Sequence, residues 1–196
     1  MEIMKTSIGA ILENIEGAEE FLEEKDIDQF ENIIMNAENI FVTGAGRSGL
    51  AAKAFAMRLM HLGLSAYVVG ETISPAINKN DCIVAVSGSG ETNTIVSAAT
   101  IAKSRGSKVL AVTSYPDSTL GKLADGYLFV KGRTKQEVDD QNYMKRQIHG
   151  NYTSLTPLGT AFELTTLVFL DAIVSELMEK MEQTESDLKA RHTVLE

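Results

Sequence analysis

The chain has 196 residues, 44% of them hydrophobic and 23% charged, which suits one soluble domain with a sizeable core. A net charge of −9 argues against a nucleic-acid surface and against an anionic membrane, and a small anion would need local donors to bind against that field. A single cysteine, Cys82, excludes a disulfide framework and fits a reducing cytoplasm, and no apolar run reaches the ~20 residues of a membrane span.

Met1 to Gly17 carries acids and no long apolar core, so it does not read as a signal peptide. Ile8, Ile11, Leu12, Ile15, Phe21 and Leu22 recur at helical spacing, predicting one amphipathic helix over 2–24. A second helix, 27–37, carries Phe30, Ile33 and Ile34. Residues 1–37 precede the first strand, so they are expected to pack on the domain's flank or on a partner subunit. Strands follow at 40–43, 66–69, 81–86, 108–112 and 126–130, and helices at 47–62, 93–105 and 118–123. Such alternation predicts an α/β fold: a five-stranded parallel sheet, order 2-1-3-4-5, flanked by helices. Residues 131–155 form a polar connection containing Arg133, Lys135, Lys145, Arg146 and His149. Thr156-Pro157 is expected to open a long helix, 157–182, with Pro at its first position. A charged tail ends the chain.

In that strand order the crevice lies between the first and third strands, outside their carboxyl ends. Two glycine-rich loops reach it. Ser87, Gly88, Ser89, Gly90, Glu91 and Thr92 follow a buried strand and precede a helix. Gly88 and Gly90 permit a tight turn, the helix start offers free N–H groups, and three hydroxyls add donors. A phosphate monoester is the natural guest. No Lys lies in the loop, so this is not the Walker pattern. The other loop, Gly44-Ala45-Gly46-Arg47-Ser48-Gly49, matches G-x-G-x-x-G, with Glu71 ending the next strand as a ribose-binding acid would. A dinucleotide site is therefore the rival reading. The alternative gives Gly46, Arg47 and Ser48 to the hydroxyls or phosphate of a small sugar phosphate.

On the last long helix, Leu167, Leu170, Val174, Leu177 and Met181 form an apolar stripe, and four residues before Leu167 stands Glu163. An acid there suits proton transfer; the alternative is a carboxylate at the stripe's end, in solvent or paired with Arg. Gly159 and Thr160 stand next to it. His61 lies near a helix C-terminus, which its cation would favour, and a catalytic role stays open beside that bland one. No Cys/His cluster is present, so no metal site is expected.

Ser87 to Thr92 is similar to the phosphate loop of the SIS, or sugar isomerase, domain family. Gly44 to Gly49, residues 55–63, Val69-Gly70-Glu71-Thr72, Pro157 to Glu163 and Arg191-His192 resemble its 6-phospho-3-hexuloisomerase branch, from about residue 40 to the end. The resemblance implies a flavodoxin-like fold and interconversion of 3-hexulose 6-phosphate with fructose 6-phosphate through an enediol, in the ribulose monophosphate pathway. It implies neither metal nor nucleotide, and homotetramers with sites shared between subunits. Glu163 would be the base, and Ser87 to Thr92, with Gly159 and Thr160, would hold substrate. A non-catalytic phosphosugar sensor would keep the loop but need no carboxylate at 163. His192 follows a helix that starts beside Glu163 and runs away from the crevice. In a segment too polar to join the core, it is expected to enter a neighbour's site rather than its own.

Overall fold

A computed structural model describes residues 1–132, 157 and 159–194; the 131–155 connection lies outside them from residue 133 on. The elements are α1 (Glu2–Glu19), α2 (Glu24–Met35), β1 (Ile40–Gly44), α3 (Arg47–His61), β2 (Ala66–Val68), β3 (Cys82–Val86), α4 (Asn93–Ser104), β4 (Lys108–Thr113), α5 (Thr119–Leu123), β5 (Gly126–Phe129), α6 (Thr160–Lys180) and α7 (Glu185–Ala190). The sheet has the order β2-β1-β3-β4-β5, all parallel. β3 is buried throughout, as a central parallel strand covered on both faces must be, which is why it reads as an unbroken apolar run.

The core has two parts, one on each face of the sheet. Phe55 and Leu59 of α3 meet Leu170 and Leu177 of α6 on one, with Ala18, Phe30 and Ile34 of the first two helices in the same cluster. Ile95 and Ala99 of α4 meet Leu120 of α5 on the other. The thiol of Cys82 lies in the first, its pKa pushed up to about 12 by burial and by the charge of Asp81, so it packs as a small apolar group. Glu31, buried on α2, accepts a hydrogen bond from Lys180 Nζ at 2.5 Å and ties α2 to the far end of α6.

Several boundaries differ from the sequence reading. The first helix stops at Glu19, after which Leu22 packs on the core and the exposed Phe21 lies against Phe129, with ring centroids 5.7 Å apart. The last long helix starts at Thr160, not at Pro157. Gly159, in the left-handed region at φ +89°, caps it, and the Pro157 carbonyl accepts the Thr160 N–H. Residues 184–191 are not a free tail. Thr184 and Asp187 form a reciprocal capping box that starts α7, and Leu188 packs against the core.

Register sets the site. Gly44 at the end of β1 pairs with Val86 at the end of β3. Both loops therefore leave the sheet side by side at its carboxyl edge. At the opposite edge Asp81 closes the strands: Oδ1 accepts from Asn39 N and Nδ2, and Oδ2 from Asn78 N.

Candidate active site

In the loop after β3 the carbonyls of Ser87, Gly88 and Gly90 are taken, while two consecutive amides are left. Gly88 O accepts from Ser114 N at 3.1 Å, and Gly90 O from Leu120 N at 3.0 Å. Among the described residues the N–H groups of Gly88 and Ser89 have no acceptor, and helix geometry leaves the first amides of α4 free. Ser87, buried, shares a hydrogen bond with Thr92 (Oγ to Oγ1, 3.0 Å), so two hydroxyls sit together at the mouth of α4. Ser89 Oγ accepts from Glu91 N at 3.2 Å and keeps its own proton to donate. Gly90 has φ +65° and packs so closely on Ser118 Oγ that no side chain fits. This is a nest of donors with no cation in it, suited to an anion. Glu91 does not leave its carboxylate free: Oε1 accepts from Thr119 N at 2.7 Å and Oε2 from Thr119 Oγ1 at 2.8 Å.

The loop after β1 spends its outer glycines on packing. A Cβ on Gly44 would stand 2.7 Å from Ser48 O, and one on Gly49 would stand 2.6 Å from Gly44 O. α3 thus presses directly on the end of β1. Gly46, at φ 58° and ψ −131°, caps α3 in a conformation that side chains rarely adopt. Glu71, the acid of the dinucleotide reading, is exposed and bound to Lys53 Nζ at 2.7 Å. Lys53 holds its carboxyl below the usual carboxylate range.

Glu163 stands in the first turn of α6, and Arg47 Nε donates to its Oε2. Of the expected stripe, Leu170, Val174 and Leu177 are buried and Met181 packs on the core; Leu167 is exposed, and Phe162, Thr166, Phe169 and Ile173 widen the buried face. Glu163 therefore sits at the margin of the buried face, its side chain 16% exposed and paired with Arg47. Thr160 is buried and Glu163 N bonds back to Gly159 O at 3.0 Å, which fixes the turn carrying the acid. A depression between α3 and α6, lined by Leu50, Ala54, Leu164 and Leu167, adjoins the pair. Sequence reasoning missed Phe162, whose ring lies 3.1 Å from where a Gly88 Cβ would be and so joins α6 to the phosphate loop. It also missed Thr113, Ser118 and Thr119, which hold that loop from β4 and α5; no local pattern announces contacts so far along the chain.

His61 and His192 come together, but away from these loops. Their rings stack at 5.0 Å, and Arg191 Nη1 donates to His61 O at 3.0 Å. Burial holds the His61 imidazole below its ordinary value, with the nearby charges of His192 and Arg58 adding to the effect. The pair sits at the C-terminal end of α3, while Arg47 starts that helix, about 21 Å away at 1.5 Å per residue. No group of three or more His, Cys, Asp or Glu among the described residues could hold a metal ion. No described helix is long and apolar enough to cross a membrane. A wide groove of about 1000 Å³ near Lys79, Lys108 and Asp125 opens at the amino ends of the strands, the wrong end for an open α/β ligand site.

The SIS domain model matches residues 33–136, more than half of the chain, and spans both loops. The chain belongs to the SIS domain family. It is 37% identical to the 3-hexulose-6-phosphate isomerase of Bacillus subtilis over 195 residues, covering 98% of this SIS chain and 100% of that protein. A Methanococcus jannaschii protein, whose crystal structure infers a function of 3-hexulose-6-phosphate isomerase, superimposes with a TM-score of 0.79 at 30% identity, over 96% of this chain and 98% of that one. The crystal structure of a hypothetical protein superimposes at a TM-score of 0.87 with 44% identity, over 100% and 98%. The α/β fold and its strand order agree with these neighbours.

Proposed function

We propose that this SIS protein is a phosphosugar isomerase interconverting 3-hexulose 6-phosphate and fructose 6-phosphate. The observation that carries the reading is a carboxylate, Glu163, held by Arg47 across the crevice from a loop whose free backbone amides and hydroxyls suit a phosphate. The names of the relatives point to the same substrate pair. The loop grips the phosphate and the carbon chain lies towards α6. Glu163 takes the proton from C2 of the 3-ketose, and a 2,3-enediol forms. The same carboxyl returns the proton to C3 while a second proton passes from O2 to O3. One carboxylate on one face serves both carbon steps, and orientation by the phosphate grip can account for ~7–11 kcal/mol of the barrier. Gly46, Arg47, Ser48, Gly159 and Thr160 border the path of the sugar in this scheme.

The decisive measurement is solvent deuterium exchange into fructose 6-phosphate. Wild type should exchange, and Glu163→Gln should not, with substrate binding largely kept. A sensor module binds without exchange in either form, and a Glu163→Gln protein with most of its turnover removes Glu163 from the mechanism.

The O2-to-O3 proton needs a carrier, and in this reading it is His192 of a second subunit in a homotetramer. The stacked pair His61–His192 is about 21 Å from its own crevice and so serves a site only across an interface. Tail docking through Arg191 makes that imidazole a fixed group rather than a trailing one. Mixed oligomers of Glu163→Gln and His192→Ala chains should regain activity that neither variant has alone. Confirmed subunit exchange with no recovery rules out the shared site.

A further inference from the structure

A loop that takes a dianion contains a carboxylate of its own, Glu91. Like charges at close range repel, so an acid here must be turned aside or it weakens binding. Both Glu91 oxygens are occupied by one residue, Thr119, through its N–H at 2.7 Å and its hydroxyl at 2.8 Å. Those bonds are not alone. Leu120 N donates to Gly90 O at 3.0 Å, and Ser118 Oγ sits against Gly90. Residues 118–120 therefore hold the outer edge of the loop at three consecutive positions. The groups they take are acceptors: two carboxylate oxygens and one carbonyl. What remains on the inner edge is amides and hydroxyls.

We propose that Glu91 is a positioning residue whose carboxylate, bound by Thr119, clamps the 87–92 loop to α5 and aims its free N–H groups at the substrate phosphate. The proposal rests on the phosphosugar reading of this loop and reassigns Glu91 from contacting substrate to shaping its site. It has a consequence of unusual sign. Removing a negative charge from an anion loop ordinarily tightens anion binding. Removing this one should loosen it.

The test compares Glu91→Ala, Glu91→Gln, Thr119→Val and Thr119→Ser with wild type. KM and kcat for fructose 6-phosphate, inhibition by inorganic phosphate, and amide hydrogen exchange at Gly90 and Leu120 are measured. Glu91→Ala should raise KM and the phosphate inhibition constant about tenfold, the effect of one lost hydrogen bond of moderate strength, with kcat within roughly twofold and faster exchange at both amides. Glu91→Gln and Thr119→Val, each losing part of the clamp, should fall between, and Thr119→Ser should match wild type. If Glu91→Ala destabilises the fold enough to disturb KM, Thr119→Val with its intact charge gives the same comparison. Phosphate inhibition that is unchanged or stronger in Glu91→Ala, or unchanged exchange at Gly90, overturns the clamp. A wild type that neither binds phosphate nor turns over sinks the phosphosugar reading instead, and the exchange data still decide whether the clamp exists.

Discussion

The two glycine-rich loops leave neighbouring parallel strands at the same level and each start a helix. Their glycines do different jobs. In 44–49 the outer glycines let β1 and α3 touch backbone to backbone, and the loop's chemistry is delegated to Arg47. In 87–92 Gly90 turns the chain in a positive-φ conformation while neighbours take the Gly88 and Gly90 carbonyls, and the Gly88 and Ser89 N–H groups stay unbonded. A glycine pattern alone thus does not say whether it makes room for protein or for ligand. The deciding fact is which polar groups around it are already bonded.

The sharpest way to break that contrast is to add a methyl group. Gly49→Ala places Cβ against the Gly44 carbonyl, a backbone atom that cannot swing aside. The expected loss is about 3 kcal/mol, or roughly 6–12 °C in Tm. An unchanged melting curve would show that β1 and α3 are not pressed together. In Gly88→Ala the nearest atoms are those of the Phe162 ring, at 3.1 Å and beyond rather than 2.6 Å, so the loss should be smaller. Removing hydroxyls from the other loop should spare Tm and strike binding. Ser87→Ala or Ser89→Ala should each raise KM about ten- to hundredfold, because a hydrogen bond to a charged group contributes about 1.5–3 kcal/mol. Unchanged KM in both, and in the double variant, removes phosphate from this loop.

Much of this was legible before the fold was. Strand order, the crevice and both loops follow from apolar runs of four to six residues punctuated by Gly, because a parallel sheet covered on both faces writes itself that way. Helix ends were less legible. Pro157 is a strong start signal, yet Gly159 in a left-handed conformation caps the helix, and no propensity rule ranks the two. The stripe placed Leu170, Val174 and Leu177 in the core but missed at its first member, Leu167, because α6 is apolar on several sides and its buried face is wider than one stripe. The pairing of Glu163 with Arg47 was one of two open readings, since partners 116 residues apart share no local pattern. The docking of Arg191 was invisible for the same reason: it needs the bare backbone of Gly63, at φ +90°, beneath the guanidinium.

The smallest expected effect tests the remaining ambiguity in the first loop. If Gly44 to Gly49 served a pyrophosphate, Glu71 would hold the ribose, and its loss would matter. Here Glu71 and Lys53 form a pair in which each side chain is 53% exposed, so solvent screens it and it contributes little. Glu71→Gln should therefore leave KM, kcat and solvent exchange unchanged and Tm nearly so. The small stability contribution of Glu71 has a sign, because Lys53 lowers its carboxyl pKa in the folded state. It is present above the ordinary carboxylate range and fades as pH falls through it, and salt screens it. Calorimetry with NAD and NADP completes the test. No micromolar binding is expected in either protein. Micromolar binding by wild type that disappears in Glu71→Gln would mean that the 44–49 glycines make room for a ligand after all, and the division of labour between the two loops would have to be redrawn.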